Sequence, residues 1–397
     1  MKILFLQDHM DSGGAARAAG RYAVALEREG HHVILAAGDR QRGSEDFIVS
    51  GKPPRGWKRI LEYIMPPKYR AHRRVLRARR SWRRVLQKCA PDMVWIHNIH
   101  GAFKWGWGAE LVEEACRHGQ VLWTLHDMWP LGSGHYYFSE EQLPFEYPQS
   151  PLGKLPKEVA GKRLILTTPS IWLKQLIESQ CGNHISVRMP YFLDTDVFQP
   201  AYREQMRRNL GLKKDDFLFL SAAENLNDPR KGISFLCEAW KKMGDWITKN
   251  NVSLGLLGRN GHHFECPRSR IFSYGNQQNE ADVASYMAAS DLFIHPSSAD
   301  NFPLVLEESQ ACGTPVMAFQ VGGVSEAFEN NETGILIKSR DTKSLVDSII
   351  DVVKNREMLL EMRTRARENI KLKHKKSVFF DQWQEALIKI KEKDIIK

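Results

Sequence analysis

Residues 291–337 read DLFIHPSSADNFPLVLEESQACGTPVMAFQVGGVSEAFENNETGILI, and the alternation of apolar runs, turn formers and carboxylates in this stretch decides the fold. Asp291 to His295 is a short β-type run closed by Pro296-Ser297-Ser298. Leu304 to Cys312 has helical character and is stopped by Gly313-Thr314-Pro315. Strand, polar loop, helix, strand and Gly-Gly turn make one unit of an open α/β sheet, in which ligands bind at the carboxyl ends of the strands. The backbone N–H groups around Leu304 and Val305 point into that space and carry the positive end of the helix dipole, which suits a phosphate. Pro303 fits the first helical turn, where a missing N–H matters little. Glu308, one turn in, is placed to reach a ribose diol. A charged helix start on a solvated face accounts for the same spacing equally well.

Toward the N-terminus of this unit, Phe217 to Ser221 is a strand followed by Asn225-Leu226-Asn227-Asp228-Pro229-Arg230-Lys231-Gly232 and an amphipathic helix. The cations of that loop suit a diphosphate leaving group. Leu254 to Gly258 is a strand ending in glycine, and beside it Phe272-Ser273-Tyr274-Gly275 offers backbone against which a base can lie. Farther back, Asp194-Thr195-Asp196 has the D-x-D form that holds a hard cation in other settings. His262, His263 and Cys266 lack a fourth ligand at zinc-site spacing.

At the start of the chain, Lys2 to Leu6 is a buried-type strand, and Asp11-Ser12-Gly13-Gly14 turns into a helix running to about Glu29, with Ser12 as its expected cap. A phosphate or sugar can rest on such a glycine turn, although tight strand-to-helix turns need glycine in any case. Two further strands, around Val94 and Leu122, end in His97 and His126. Both histidines lie at a strand edge. Asp127 either orients the imidazole or caps the next element. His97, Asn98 and His100 form a polar cluster that faces an acceptor or serves the structure. Residues Trp129 to Pro156 hold many turn formers and read as an irregular loop whose aromatic rings suit a sugar face.

The 397 residues fit two domains of ordinary size, and 42% hydrophobic content supplies their cores. The six cysteines are scattered without a C-x-x-C pair, which fits a reducing compartment. The first apolar run ends at Leu6, short of a signal peptide, and no segment reaches the length of a membrane span. The net charge of +10 is concentrated in residues 52–88, which carry fourteen Lys and Arg against Glu62 alone. Without that segment the chain would be slightly acidic. Trp57, Ile60, Leu61, Trp82 and Leu86 are interleaved with the cations, a mix that suits anionic lipid. A solvated helix covering the N-terminal domain is the competing reading. No RNA- or DNA-binding module accompanies the charge, so nucleic acid is not an expected partner.

The opening stretch resembles the nucleotide-binding segment of retaining family-4 glycosyltransferases of GT-B architecture. Glu308 matches the second of that family's two glutamates, and Gly313, Pro315, Val316, Gly322, Gly323 and Glu326 fall in register. The first glutamate is replaced by Asp300, one methylene shorter, so the donor sugar is not implied. Glu307 has no place in the pattern and reads as an exposed helix residue. Lys231-Gly232 matches the family's Lys-Gly pair, but the arginine expected five positions before the lysine is Leu226, which leaves Arg230 as its substitute. Thr124-Leu125-His126 matches a Thr-x-His strand end, and Thr-Leu-His-Asp-Met-Trp-Pro resembles a subgroup of bacterial polysaccharide glycosyltransferases. Asp194-Thr195-Asp196 resembles the family's link between domains, where it is structural.

The resemblance implies an α/β protein of GT-B fold: two Rossmann-like domains facing a cleft, residues 1–200 on the acceptor side and 201–375 on the nucleotide-sugar side, with a C-terminal helix, 376–397, packing back on the N-terminal domain. It implies retaining transfer of a hexosyl-type sugar from a nucleoside diphosphate to a lipid-linked or saccharide precursor of a polysaccharide or lipopolysaccharide. Catalytic roles fall to His126, Lys231 and Asp300. Donor contacts fall to Gly13, Gly14, Arg230, Lys231, Asn301, Phe302, Leu304, Val305 and Glu308. His97, His100 and Asp127 are the acceptor-side candidates. Neither a metal nor another cofactor is expected, and the implied location is the cytoplasm, at the inner face of the membrane through residues 52–88. A nucleotide-sugar epimerase and a non-catalytic nucleotide-sugar-binding protein are the rival readings.

Overall fold

A computed structural model describes residues 1–10, 13–39, 43–52, 62, 64–100, 105–132, 137, 150–156, 163–181 and 184–395. The chain divides into two compact units, Met1–Phe192 with Phe379–Lys397, and Leu193–Val378.

The first unit is built on β1 (Lys2–Gln7), β2 (His32–Ala37), β3 (Phe47–Ile48), β4 (Met93–Ile96), β5 (Val121–Thr124), β6 (Leu164–Thr168) and β7 (Ser186–Arg188). They pair in parallel in the order β3-β2-β1-β4-β5-β6-β7. Ile3 to Leu6 and Val121 to Trp123 are buried without alternation, as expected for parallel strands covered on both faces. The order reverses direction between β1 and β4, so the loops leaving these two strands diverge and open a crevice at their carboxyl ends.

The second unit repeats the scheme with β8 (Phe217–Asn225), β9 (Val252–Arg259), β10 (Ile271–Ser273), β11 (Leu292–His295), β12 (Val316–Phe319) and β13 (Gly334–Ile337). These strands are parallel in the order β10-β9-β8-β11-β12-β13, and the reversal lies between β8 and β11. The two loops it separates are those carrying Lys231 and Asp300.

The last helix, Lys376–Ile395, joins the first unit from Phe379 onward. Phe379, Trp383, Ala386 and Ile390 are buried at helical spacing, giving the helix one apolar face. The expected return of this helix to the N-terminal domain is observed.

The basic segment is partly outside the described residues, including Trp57, Ile60 and Leu61. Its described portion forms the helix Pro67–Cys89, which buries Ala78, Trp82, Val85, Leu86 and Cys89. Several of its cations have structural partners. Arg77 lies 2.7 Å from Glu62, while Arg79 and Arg83 reach Glu114 of the helix Ala109–His118 at 2.8 and 2.6 Å. The opposing carboxylates thus include residues far away in sequence. The opposite stripe of this helix leaves Tyr69 and Leu76 exposed, with Arg73, Arg80 and Arg84 at the same spacing.

Asp194-Thr195-Asp196 is a structural turn: Asp194 Oδ1 accepts from the N–H of Asp196 at 3.1 Å, and Arg367 donates to the carbonyl of Thr195 at 3.0 Å.

Candidate active site

In the second unit, the strand β11 ends at His295, and Pro296-Ser297-Ser298 turns the chain back toward the loop after β8. The turn grips Arg230 by its carbonyl. The N–H of Ser298 and the hydroxyl of Ser297 both donate to it, at 2.8 and 3.0 Å. Gly232 lets the two loops meet, because its φ is +69° and a Cβ there would lie 2.0 Å from the carbonyl oxygen of Pro296. Asp228 holds the other side of the loop by accepting from the N–H of Arg230 at 3.0 Å.

These contacts bring Asp300 against three nitrogens. Its Oδ2 lies 2.6 Å from Lys231 Nζ, 3.3 Å from His295 Nε2 and 3.5 Å from an Arg230 guanidinium nitrogen, while Oδ1 accepts from the N–H of Asn301 at 3.1 Å. Burial opposes the charge of Asp300, but Lys231, His295 and Arg230 outweigh it and hold the carboxyl far below its ordinary range. His295 is pushed down by burial despite its carboxylate neighbour, so it is neutral at physiological pH. The arrangement is an ionised carboxylate between two cations that remain partly open to solvent, Lys231 at 21% and Arg230 at 29% exposure. It can place positive charge on a phosphate and acceptor oxygens on a hydroxyl.

Beside it the helix Leu304–Ala311 starts at Pro303 without a side-chain cap, so its first N–H groups lack intrahelical partners. Pro303 itself stands at the cap rather than in the first turn. Phe302 and Leu304 are buried and Val305 is half-buried at this helix start, whereas Asn301 and Glu308 are enclosed. The reading of Glu307 as an exposed residue is corrected: its side chain is 5% exposed and its Oε1 lies 2.9 Å from His374 Nε2. Helix packing against the Arg356–Lys373 helix turns that position inward. Leu226, where the family pattern has arginine, is fully buried in the unit's core.

At the carboxyl ends of β9 and β10 a cavity of about 480 Å³ is lined by Gly258, Asn260, Gly261, His262, Ser273 and Asn276, among others. Gly258 and Gly261 keep its floor low, since a Cβ at either would sit 1.9 Å from the Ala223 carbonyl oxygen or 2.1 Å from the Ser273 hydroxyl.

In the first unit, the loops after β1 and β4 are joined by the Asp8 N–H donating to the Asn98 carbonyl at 2.7 Å. Gly13, with φ +89°, occupies the cap position of the helix Gly14–Arg28 and supplies no side-chain cap. Ser12, the expected cap, lies outside the described residues, as do Gly134, His135 and Tyr136 of the loop expected over the site. His97 and His126 do converge. Nδ1 of His97 is 3.1 Å from Nε2 of His126, whose Nδ1 is 2.9 Å from the Tyr191 hydroxyl. Burial pushes His126 down to about 3, with nearby His100 adding to the shift, and burial pushes His97 down as well, with His126 adding. Both rings are neutral at physiological pH.

His97 is fully buried, with its Nδ1 against His126. Asp127 makes the capping contact, one of the two roles expected of it. Its Oδ1 accepts from the Trp129 N–H at 3.0 Å, capping the next turn, and its Oδ2 lies 3.3 Å from His100 Nε2. Two site neighbours were not read from the sequence, His295 and Tyr191. His295 carried a signal, being the polar residue that ends a strand beside the candidate loop, whereas Tyr191 is brought in only by the fold.

Residues 12–187 match Glycosyltransferase Family 4 and residues 202–372 match Glycosyl transferases group 1. A D-inositol 3-phosphate glycosyltransferase of Paenarthrobacter aurescens is 26% identical over 208 residues, 50% of this chain and 51% of that protein. The chain thus matches about half the length of this curated relative. Among solved structures, a sucrose-phosphate synthase from Thermosynechococcus elongatus aligns with a TM-score of 0.74 at 18% identity, over 98% of this chain and 99% of that one. Anabaena HepE in complex with UDP-glucose aligns with a TM-score of 0.68 at 19% identity, over 98% and 100%. With two parallel Rossmann-like sheets and a returning C-terminal helix, the chain has the GT-B fold, and it carries a Glycosyltransferase Family 4 domain followed by a group 1 glycosyl transferase domain.

Proposed function

We propose that this protein transfers a hexosyl-type sugar, with retention, from a nucleoside diphosphate to a lipid-linked or saccharide precursor of a surface polysaccharide or lipopolysaccharide. The observation that carries the reading is the meeting of Lys231, Arg230 and Asp300 at the reversal point of the second sheet, beside the uncapped start of the Leu304–Ala311 helix. Lys231, Arg230 and the helix amides neutralise the departing diphosphate, the preorganised electrostatic contribution that dominates many such reactions. Asp300 bonds sugar hydroxyls, and Glu308 serves the ribose from the same helix. The base sits in the cavity at the ends of β9 and β10, between Gly258 and Ser273. On the first unit, Gly13 and Gly14 approach the donor, His126 serves the sugar, and His100 with Asp127 serves the acceptor. The reaction needs no metal in this reading.

Thermal unfolding in the presence of UDP-, ADP-, GDP- and dTDP-linked hexoses tests the donor. A ligand at 100 times its Kd stabilises by about 2.7 kcal/mol, so the true donor stands out. Product analysis by NMR then reads the anomeric configuration. If no nucleotide-sugar shifts the transition, or if Glu308→Ala leaves donor binding and transfer unchanged, the assignment of this site is wrong.

The reading places the protein at the inner face of the cytoplasmic membrane. Support comes from the stripe of the Pro67–Cys89 helix where Tyr69, 67% exposed, and Leu76, 40% exposed, alternate with Arg73, Arg80 and Arg84. Binding to vesicles containing anionic lipid should fall with added salt and weaken in the triple variant R73E/R80E/R84E. Equal binding to neutral vesicles at high salt removes the membrane part of the reading.

A further inference from the structure

The C-terminal helix presents Phe379 and Trp383, one turn apart, to the interior of the first unit. From each of them a run of rings leads toward the same imidazole. Trp383 stacks on Trp95 with centroids 5.0 Å apart and planes 18° apart, and Trp95 stacks on His97 at 5.3 Å and 25°. His97 stacks on His126 at 5.3 Å and 30°, with its Nδ1 facing Nε2 of that ring. By the second route Phe379 stacks on Tyr22 at 5.3 Å and 15°. The Tyr22 hydroxyl lies 3.2 and 3.0 Å from the carbonyl oxygens of Met189 and Pro190, the residues just before Tyr191, whose own hydroxyl meets Nδ1 of His126. Tyr22 and Trp95 are stacked on each other at 5.0 Å and 18°, which braces one route against the other. Trp95 is further pinned by its indole N–H, which donates to Thr124 Oγ1 at 2.7 Å.

We propose that the C-terminal helix sets the orientation and tautomer of His126 through these two routes, which makes Trp383 and Phe379 positioning residues for the site. The inference rests on the reading of His126 as a residue of the transfer reaction. A neutral imidazole has one donor and one acceptor nitrogen, and each nitrogen of His126 faces a separate partner. The assignment is therefore dictated by which nitrogen of His97 carries its proton. Nε2 of His97 is buried without a hydrogen-bond partner, a condition tolerated better by a bare acceptor than by an N–H. The proton then sits on Nδ1 of His97 and is donated to Nε2 of His126. Nδ1 of His126 keeps its own proton and donates it to the Tyr191 oxygen. Rotation of the His97 ring would break its bond to Nε2 of His126, and the Trp95 face against which it lies, backed by Trp383, opposes that rotation. Stacked aromatic pairs attract beyond the effect of burial, which favours one ring orientation over another.

The test uses the full chain with ¹⁵N-labelled imidazoles, the His126 signals being assigned by their loss in H126Q. The wild-type protein should show one pyrrole-type nitrogen, Nδ1, and one pyridine-type nitrogen, Nε2. In W383L and F379L the two should move toward averaged values, and W383F, which keeps a ring, should restore the wild-type pattern. Y22F removes only the hydroxyl that anchors Met189 and Pro190, so it probes the second route with the stack intact and carries the test where a leucine variant does not fold. With UDP-glucose as the probe substrate, turnover should fall by about ten- to a hundredfold with KM unchanged, the usual consequence of a misplaced group. If folded W383L and Y22F keep the wild-type nitrogen pattern, the rings are merely core and the proposal is overturned. A changed pattern in a protein that turns over no nucleotide-sugar sustains the positioning and defeats the transferase reading.

Discussion

Asp300→Asn removes a charge while keeping the shape of the second-unit site, and its effects on stability and on ligand binding run in opposite directions. Stripping one partner from a buried ion pair costs about 3–5 kcal/mol when the other charge is stranded. Lys231 and Arg230 are 21% and 29% exposed and can rehydrate. The expected loss is therefore about 1–3 kcal/mol. Because the folded carboxyl is held below its unfolded value, its stabilisation is present above about pH 4 and is lost as the pH falls below that value, so the curves of wild type and variant should converge in acid. Binding should change the other way. A diphosphate entering the wild-type site meets two cations and one carboxylate, but in the variant it meets the cations alone. One unit charge at about 6 Å is worth about 0.7 kcal/mol at the dielectric of water and about 2.8 kcal/mol at an effective value of about 20. UDP should bind D300N about 3- to 100-fold more tightly, with the difference shrinking as salt is added. Calorimetric titration of UDP at several ionic strengths measures this, and turnover of the donor found by thermal shift should fall in the same variant. UDP binding to D300N no tighter than to wild type would refute the electrostatic account of this site.

Two other substitutions probe the supports of the two units. Gly232→Ala forces a Cβ to 2.0 Å from the Pro296 carbonyl oxygen at a φ of +69°, so the loop should lose about 2–4 kcal/mol of local stability and UDP affinity should drop at least about tenfold. Hydrogen exchange at β8 and β11 reads the first effect, and titration reads the second. Glu114 is held down to about 2, chiefly by the hydrogen bond from Arg83, with Arg79 adding. That stabilisation is complete above the unfolded value of about 4.3 and is lost as the pH falls toward about 2. Glu114→Gln should therefore destabilise the Pro67–Cys89 helix by about 1–2 kcal/mol at neutral pH, after allowance for solvent screening, and the gap should close in acid denaturation curves.

Much of the fold was legible because parallel strands covered on both faces write themselves as uninterrupted apolar runs. Lys2 to Leu6 and Asp291 to His295 were read within a residue of β1 and β11, and the first helix was read to Glu29 where it ends at Arg28. In the candidate site, the Lys231-Gly232 pair and the Asp300 loop were legible because each is a local motif at a strand end. Their direct contact was not. Glu307 was misread as exposed because its partner, His374, belongs to a distant helix. The basic run was read as opposed by Glu62 alone, while Glu114 waited on another helix for Arg79 and Arg83. Tyr191 escaped for the same reason, whereas His295 lies on the same strand-loop unit as its partner Asp300.

Apolar periodicity and turn chemistry act over a few residues, so the chain's order of elements and the positions of its candidate charges followed from neighbours in sequence. Which charges meet is a matter of distance in space. Asp300 faces Lys231 because the order of the second sheet reverses between β8 and β11, and the glycine at 232 lets the two loops close. His126 faces His97 and Tyr191 because β4, β5 and the segment after β7 end at one edge, under rings supplied by a helix from the far end of the chain.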